Sequence, residues 1–234
     1  MIAVLCAMKS ELAEVVSRMS EVEVFEHLER EYHLGKIAGR DVVAAECGIG
    51  KVASAVVCAM MIEKYHPELL INVGVAGGCR DFENTMDVVI ADQLTYHDWN
   101  NLVINDQPNG FAHNQYVFES DREINELAVR AFPENCRSRI YVGPIVSGDT
   151  FVTLRQDVDR ILKDYSEAYA CDMESASIAH CCSAYQTGYL ILRSLSDIVI
   201  RENNGLDFVE FCQRAAAQAA ELLVNFIRLY SERK

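Results

Sequence analysis

The sequence predicts an α/β fold, a three-layer α/β/α sandwich around a central mixed sheet, and three observations carry that prediction. The continuous apolar run Ile2–Cys6 has the pattern of a strand buried on both faces, and 69–73, 139–146 and 189–192 read as further apolar strands. Helical patterns follow the runs in alternation, as in a sheet covered by helices on both sides. A pair of shorter runs, 31–37 and 41–47, joined by Ala38-Gly39-Arg40, reads as a hairpin and makes the sheet mixed.

After Ile2–Cys6, Leu12, Val15, Val16 and Met19 fall at helical spacing, with Ser10 as the expected N-cap. Glu11 then lies in the first turn, at the positive end of the helix dipole. Taken alone it fits a solvated helix-dipole acid as well as a site acid. The hairpin ends in CGIGK, Cys47 to Lys51, before a helix over 52–65 that stops at Pro67. The glycines flanking Ile49 let backbone approach a ligand, but the Walker spacing is absent and nucleoside triphosphates are discounted. Strand 69–73 runs into NVGVAGGCR, Asn72 to Arg80, a second glycine loop at a strand end.

A strand over 87–92 leads through Gln93–Asp98 into a weakly periodic segment, read as a loop or lid at 99–110. His97 and His113 lie near it without a carboxylate or thiol cluster at ligand spacing, so no metal site is expected. A helix over 121–132, with Ser120 as its cap, precedes strand 139–146 and the turn SGDTFV. That turn presents Phe151 for stacking on a flat ring, or simply to the core. A helix over 154–165 and a short run at 168–171 lead to CDMES. There Glu174 opens the helix Ser175–Tyr185, as a cap or as a site acid. The run at 189–192 closes on Arg193, Ser194, Ser196 and Asp197, and one long helix, 206–234, ends the chain. No repeat or linker divides residues 1–234, so a single domain is expected.

Composition excludes several function classes. With 21 basic against 35 acidic residues, a net charge of −14, the surface repels nucleic acid and anionic membranes. No apolar run approaches the roughly 20 residues of a membrane span, and the N-terminus lacks a basic leader. Nine cysteines without a regular framework read as reduced core residues of a cytoplasmic protein. The ligand should be small and neutral or cationic. Acids and an aromatic at strand ends, without a metal cluster or redox-cofactor fingerprint, suggest bond cleavage by acid–base chemistry with no cofactor.

AMKSEL, CGIGK, NVGVAGG, IVSGDTF, CDMES and LRSLSD together resemble the 5′-methylthioadenosine/S-adenosylhomocysteine nucleosidases of the purine nucleoside phosphorylase superfamily, over about residues 1–211. The resemblance implies hydrolysis of the N-glycosidic bond of an adenine ribonucleoside. Asp197, oriented by Ser196, is then the acid that protonates the purine, and Glu11 the base that activates water. Glu174 grips the ribose hydroxyls beside Met173, and Arg193 stands near the water and the acids. Phe151 and Val152 hold the purine; Val75, Ala76 and Gly77 form the glycine-rich wall; Met8, Ile49 and Phe208 line the 5′ side. The resemblance also implies a homodimer with the lid near its interface. A phosphorylase is disfavoured because Glu11 and Asn72 stand where arginines would cradle phosphate.

Three departures from the family pattern bear on the substrate. Val75 and Cys47 replace serines, and the aromatic pair expected around Ile104 and Asp106 is missing. These leave open another 5′-substituted purine nucleoside (adenosine, 5′-deoxyadenosine or a futalosine type) or a catalytically weak nucleoside-binding protein.

Overall fold

The computed structural model describes residues 1–27, 30–100, 106–133, 137–201 and 204–233, with the side chains of 204–207, 209 and 210 left aside. Ten strands build one sheet: β1 Ile2–Cys6, β2 Ser20–His27, β3 Arg30–Ile37, β4 Arg40–Glu46, β5 Leu69–Gly78, β6 Val88–Tyr96, β7 Phe118–Glu119, β8 Ile140–Ser147, β9 Ala170–Asp172 and β10 Tyr189–Ile198. Among the described residues the helices are α1 Lys9–Val16, α2 Lys51–Tyr65, α3 Arg122–Ala131, α4 Arg155–Asp164, α5 Ser175–Tyr185 and α6 Asn204–Ser231.

The mixed sheet and its helical layers are as the sequence predicts. Every residue of β1 is fully buried, and successive side chains enter opposite cores. Ile2, Val4 and Cys6 pack with Leu12 and Val15 of α1, with α3, and with Leu222, Leu223 and Phe226 of α6. Ala3 and Leu5 pack with Val57, Cys58 and Met61 of α2 and with Ile178, Ala179 and Cys182 of α5. Burying a Val, Leu or Ile side chain is worth about 1.5–3 kcal/mol, so a strand this apolar is held at the centre.

One wing of the sheet is open, running β5-β1-β4-β3-β2. The other closes on itself. β10 pairs with β5 and with β6, β6 with β8, β8 with β9, and β9 returns to β5. This five-stranded ring is absent from the sequence reading.

Several local expectations are corrected. The N-cap of α1 is Met8, not Ser10, because the Glu11 carboxylate reaches back to the Met8 N–H at 2.9 Å and does the capping itself. The cap of α3 is Asp121, which accepts from the N–H groups of Glu123 and Ile124; Ser120 donates to the Ala91 carbonyl instead. The stretch Asn72 to Arg80 is no loop as far as Gly78: it is the second half of β5, paired with β10 along its length. β2 was not anticipated at all; its eight residues are exposed, so no buried face marks it. Of the expected lid 99–110, residues 101–105, including Ile104, lie outside the described residues, as does Lys234 at the end of the last helix.

Candidate active site

Three strand ends and one helix start converge on the same place. Glu11 sits in the first turn of α1, directly after β1. It is 2 % exposed, with Oε2 accepting from the Met8 N–H and Oε1 from the Val75 N–H, both at 2.9 Å. Burial pushes its carboxyl above the ordinary range, against the pull of Arg193 and of those amides. Glu174 occupies the N-cap position of α5 but makes no cap bond there. Asp172 takes that duty, accepting from the N–H groups of Glu174 and Ser175. The Glu174 carboxylate is thereby free to turn toward α2, where Oε1 accepts from the Gly50 N–H at 2.9 Å. Gly50 has φ +94°, which a glycine adopts without strain.

Arg193 is fully buried in β10. Its Nε donates to Ser175 Oγ at 3.0 Å and pairs with Asp172 Oδ2 at 2.9 Å. Its Nη2 reaches Asn72 Oδ1 at 2.7 Å and Glu174 Oε2 at 3.5 Å. Burial works against its charge, and Asp172, Glu174 and Glu11 outweigh that, keeping the guanidinium firmly protonated. The register explains why β5 needs glycine here: Gly74 lies opposite Arg193, and a Cβ at Gly74 would fall on Nη1 and stand 2.7 Å from Glu11 Oε1. At the end of β10, Ser196 Oγ donates to Asp197 Oδ1 at 2.9 Å, and Asp197 is 3 % exposed.

These groups border a cavity of about 400 Å³. Glu11, Glu174, Ser196 and Asp197 line it, with Val75, Ala76 and Gly77 of β5. Met8, Ile49, Phe151, Val152, Met173 and Phe208 complete the wall expected from the sequence. Phe151 is half exposed, and its ring meets the Phe208 ring edge-on at 4.9 Å. Arg193 is the exception: it does not line the cavity and stands behind Glu174 and Glu11. Asp172, Asn72 and Ser175 hold that arginine; the sequence reading missed Asp172 and Ser175, and named Asn72 only for standing where a phosphorylase would have an arginine. Asn72 had a visible signal, a polar residue inside the apolar run of β5. Ala7, Thr150, Cys171 and Val199 also line the cavity without having been singled out. Among the described residues no cluster of His, Cys, Asp and Glu is placed to hold a metal ion.

The family model of the phosphorylase superfamily matches residues 1–228. The chain belongs to that superfamily. Among its relatives, the 5′-methylthioadenosine/S-adenosylhomocysteine nucleosidase of Hydrogenovibrio crunogenus is 31% identical over 97% of each chain. The crystal structure of the Neisseria meningitidis enzyme of that name, in complex with methylthio-immucillin-A, superposes with a TM-score of 0.89 at 31% identity, covering 97% of this chain and 98% of that one. Futalosine hydrolase of Helicobacter pylori is also similar, with a TM-score of 0.87 at 26% identity over 97% and 96% of the two chains.

In this superfamily member, no lysine or arginine is among the described residues lining the cavity. Burial foremost, with Asp172 and Glu11 adding against the pull of Arg193, pushes Glu174 up to about 7. A carboxyl raised in the folded state stabilises the fold below its unfolded value, and that contribution is lost as pH rises through the folded value. The stability of the ligand-free protein relative to its Glu174→Gln variant is therefore expected to fall between about pH 4.5 and 7, by up to about 3 kcal/mol, and to level off above. Urea unfolding of both proteins across that range measures it, and a difference that grows with pH would contradict the assignment.

Proposed function

We propose that the chain hydrolyses the N-glycosidic bond of adenine ribonucleosides such as 5′-methylthioadenosine and S-adenosylhomocysteine, releasing adenine and the 5′-substituted ribose. The observation that carries this is the presence of Glu11 and Asp197 on one nucleoside-sized cavity, with Glu174 between α2 and Arg193. Asp197, held by Ser196, protonates the departing purine. Glu11 deprotonates the water that attacks the anomeric carbon. Glu174 accepts from the ribose hydroxyls, with the Met173 backbone beside it, and its charge stabilises the cationic sugar of the transition state. Arg193 acts from behind, orienting Glu174. Phe151 stacks on the purine and the Val152 backbone pairs with its edge.

The solved relative bound to methylthio-immucillin-A supports this substrate class. The apolar side chains of Met8, Ile49, Val75 and Phe208 favour an alkylthio group at the 5′ position over a polar one. A panel of 5′-modified adenosines, including the hydroxyl, deoxy and futalosine types, ranks that preference.

The same reading takes residues 1–234 as one domain of a cytoplasmic enzyme that binds its nucleoside without a cofactor. Strands from residue 2 to residue 198 joining one sheet support the single domain. Eight described cysteines are unpaired, as in a reducing compartment, and no described helix is long and apolar enough to cross a membrane. The reading includes a homodimer whose interface lies near residues 99–110. It is supported by Ile49 at the cavity and Val52 and Val56 of α2, which are 59, 76 and 52 % exposed.

The choice between water and phosphate is tested directly. Adenine release from 5′-methylthioadenosine is expected at full rate in phosphate-free buffer, without acceleration on adding phosphate. Strict dependence on phosphate would make the chain a phosphorylase.

A further inference from the structure

Lys51, Asp98 and Asp149 close a ring of contacts beside the cavity that the proposed chemistry does not use. Lys51 Nζ stands 2.5 Å from Asp98 Oδ2 and 3.5 Å from Asp149 Oδ2. The Asp149 N–H donates to Asp98 Oδ2 at 3.0 Å, and the Lys51 N–H donates to Asp149 Oδ1 at 2.8 Å. Successive amides at the start of α2 thus hold two carboxylates from distant parts of the chain: Gly50 holds Glu174, and Lys51 holds Asp149. A helix start suits this role, because its first N–H groups have no partner within the helix. Asp98 ties in the third segment, and the next residue, Trp99, is set edge-on against Tyr116 at 4.9 Å.

The loop that carries the base-stacking ring is anchored at its ends, where the Gly148 N–H donates to the Asp172 carbonyl at 3.1 Å and Val152 is buried against Val146, Cys171 and Val199; the ring of contacts ties down the exposed stretch between them. Asp149, Thr150 and Phe151 are all exposed, and among the described residues Phe151 meets a second ring at Phe208. The three charged side chains are 27, 29 and 50 % exposed, a setting in which ion pairs add little to stability. Their geometric effect is larger: both the ribose grip and the base-stacking loop are referred to one rigid helix start.

We infer that Lys51, Asp98 and Asp149 are positioning residues that tie the loop 148–152 to the start of α2 and so hold Phe151 in place for stacking on the purine. This rests on the nucleoside reading above. Stacking holds the base equally in the ground state and the transition state, so loosening the loop raises KM and leaves kcat in place.

The test compares Asp149→Ala with Asp149→Asn, which keeps the acceptor for the Lys51 N–H. Asp149→Ala is expected to raise both KM for 5′-methylthioadenosine and Kd for adenine by about tenfold, the size of one lost aromatic contact, with kcat and Tm near the parent values. Asp149→Asn is expected to recover most of that loss, and Lys51→Met to fall between the two. An unchanged adenine Kd in Asp149→Ala, an Asn variant as impaired as Ala, or a loss confined to kcat would overturn the inference. Adenine binding by calorimetry separates this outcome from failure of the nucleoside reading. A parent protein that binds adenine but cleaves no nucleoside sinks only the reaction, while the Kd series still decides the clamp; a parent that does not bind adenine sinks both.

Discussion

Asp197→Asn is expected to lower kcat for adenine release by about 10²–10⁴-fold, the usual worth of a positioned general acid. Adenine leaves as a poor anion unless a proton arrives as the bond breaks, and asparagine has none to give. The substitution is nearly isosteric, and its amide oxygen still accepts from Ser196 Oγ, so Tm should stay close to that of the parent. The loss should shrink for a riboside whose leaving group departs without protonation. Steady-state kinetics on adenine and on such an activated leaving group make the comparison. Near-normal release of adenine would remove Asp197 as the acid.

Glu11→Gln is expected to cost as much in kcat, about 10²–10⁴-fold, through loss of the base that activates water. Here a structural penalty accompanies the chemical one. Both carboxylate oxygens accept from backbone N–H groups, those of Met8 and Val75, at a site almost closed to solvent. Glutamine offers only one oxygen, so its NH₂ must face one of the two donors, a mismatch worth about 1–3 kcal/mol. Adenine affinity should nevertheless change little, because the purine is held at Phe151 and Val152. The pattern to look for is a large fall in kcat, a modestly lower Tm and a retained adenine Kd. Glu11→Gln with near-parental turnover would rule out Glu11 as the base.

The layers of this fold were legible because a strand buried on both faces is built mostly of apolar residues. Ile2–Cys6 shows it most clearly. The site was legible for a related reason: Glu11, Glu174 and Asp197 are acids where an apolar pattern ends, and such groups need partners or a task. What escaped was whatever depends on pairing between distant segments. β5 extends to Gly78 because β10 and β9 satisfy its backbone, and nothing local distinguishes those glycines from a turn. β2 escaped because an exposed strand owes its form to its neighbour β3 rather than to a hydrophobic face. The cap of α1 was misassigned because a serine two residues on matched the usual preference, while the Glu11 side chain supplied the bond. Asp172 lay within a recognised motif, yet its work of holding Arg193 and capping α5 appears only when β9 and β10 are seen together.

The ring of five strands also has a consequence for how the chain reaches its active form. Arg193 and its partner Asn72 are separated by 121 residues, and β5 has no second long neighbour until β10 has been synthesised. Loop closure over such a span is slow, and the flank of β5 that will face the guanidinium must wait beside the emerging chain. Catalytic competence therefore waits on the last third of the chain: β10 brings Arg193 to β5, and α6 supplies Leu222, Leu223 and Phe226 to cover the face of β1 that carries Ile2 and Val4.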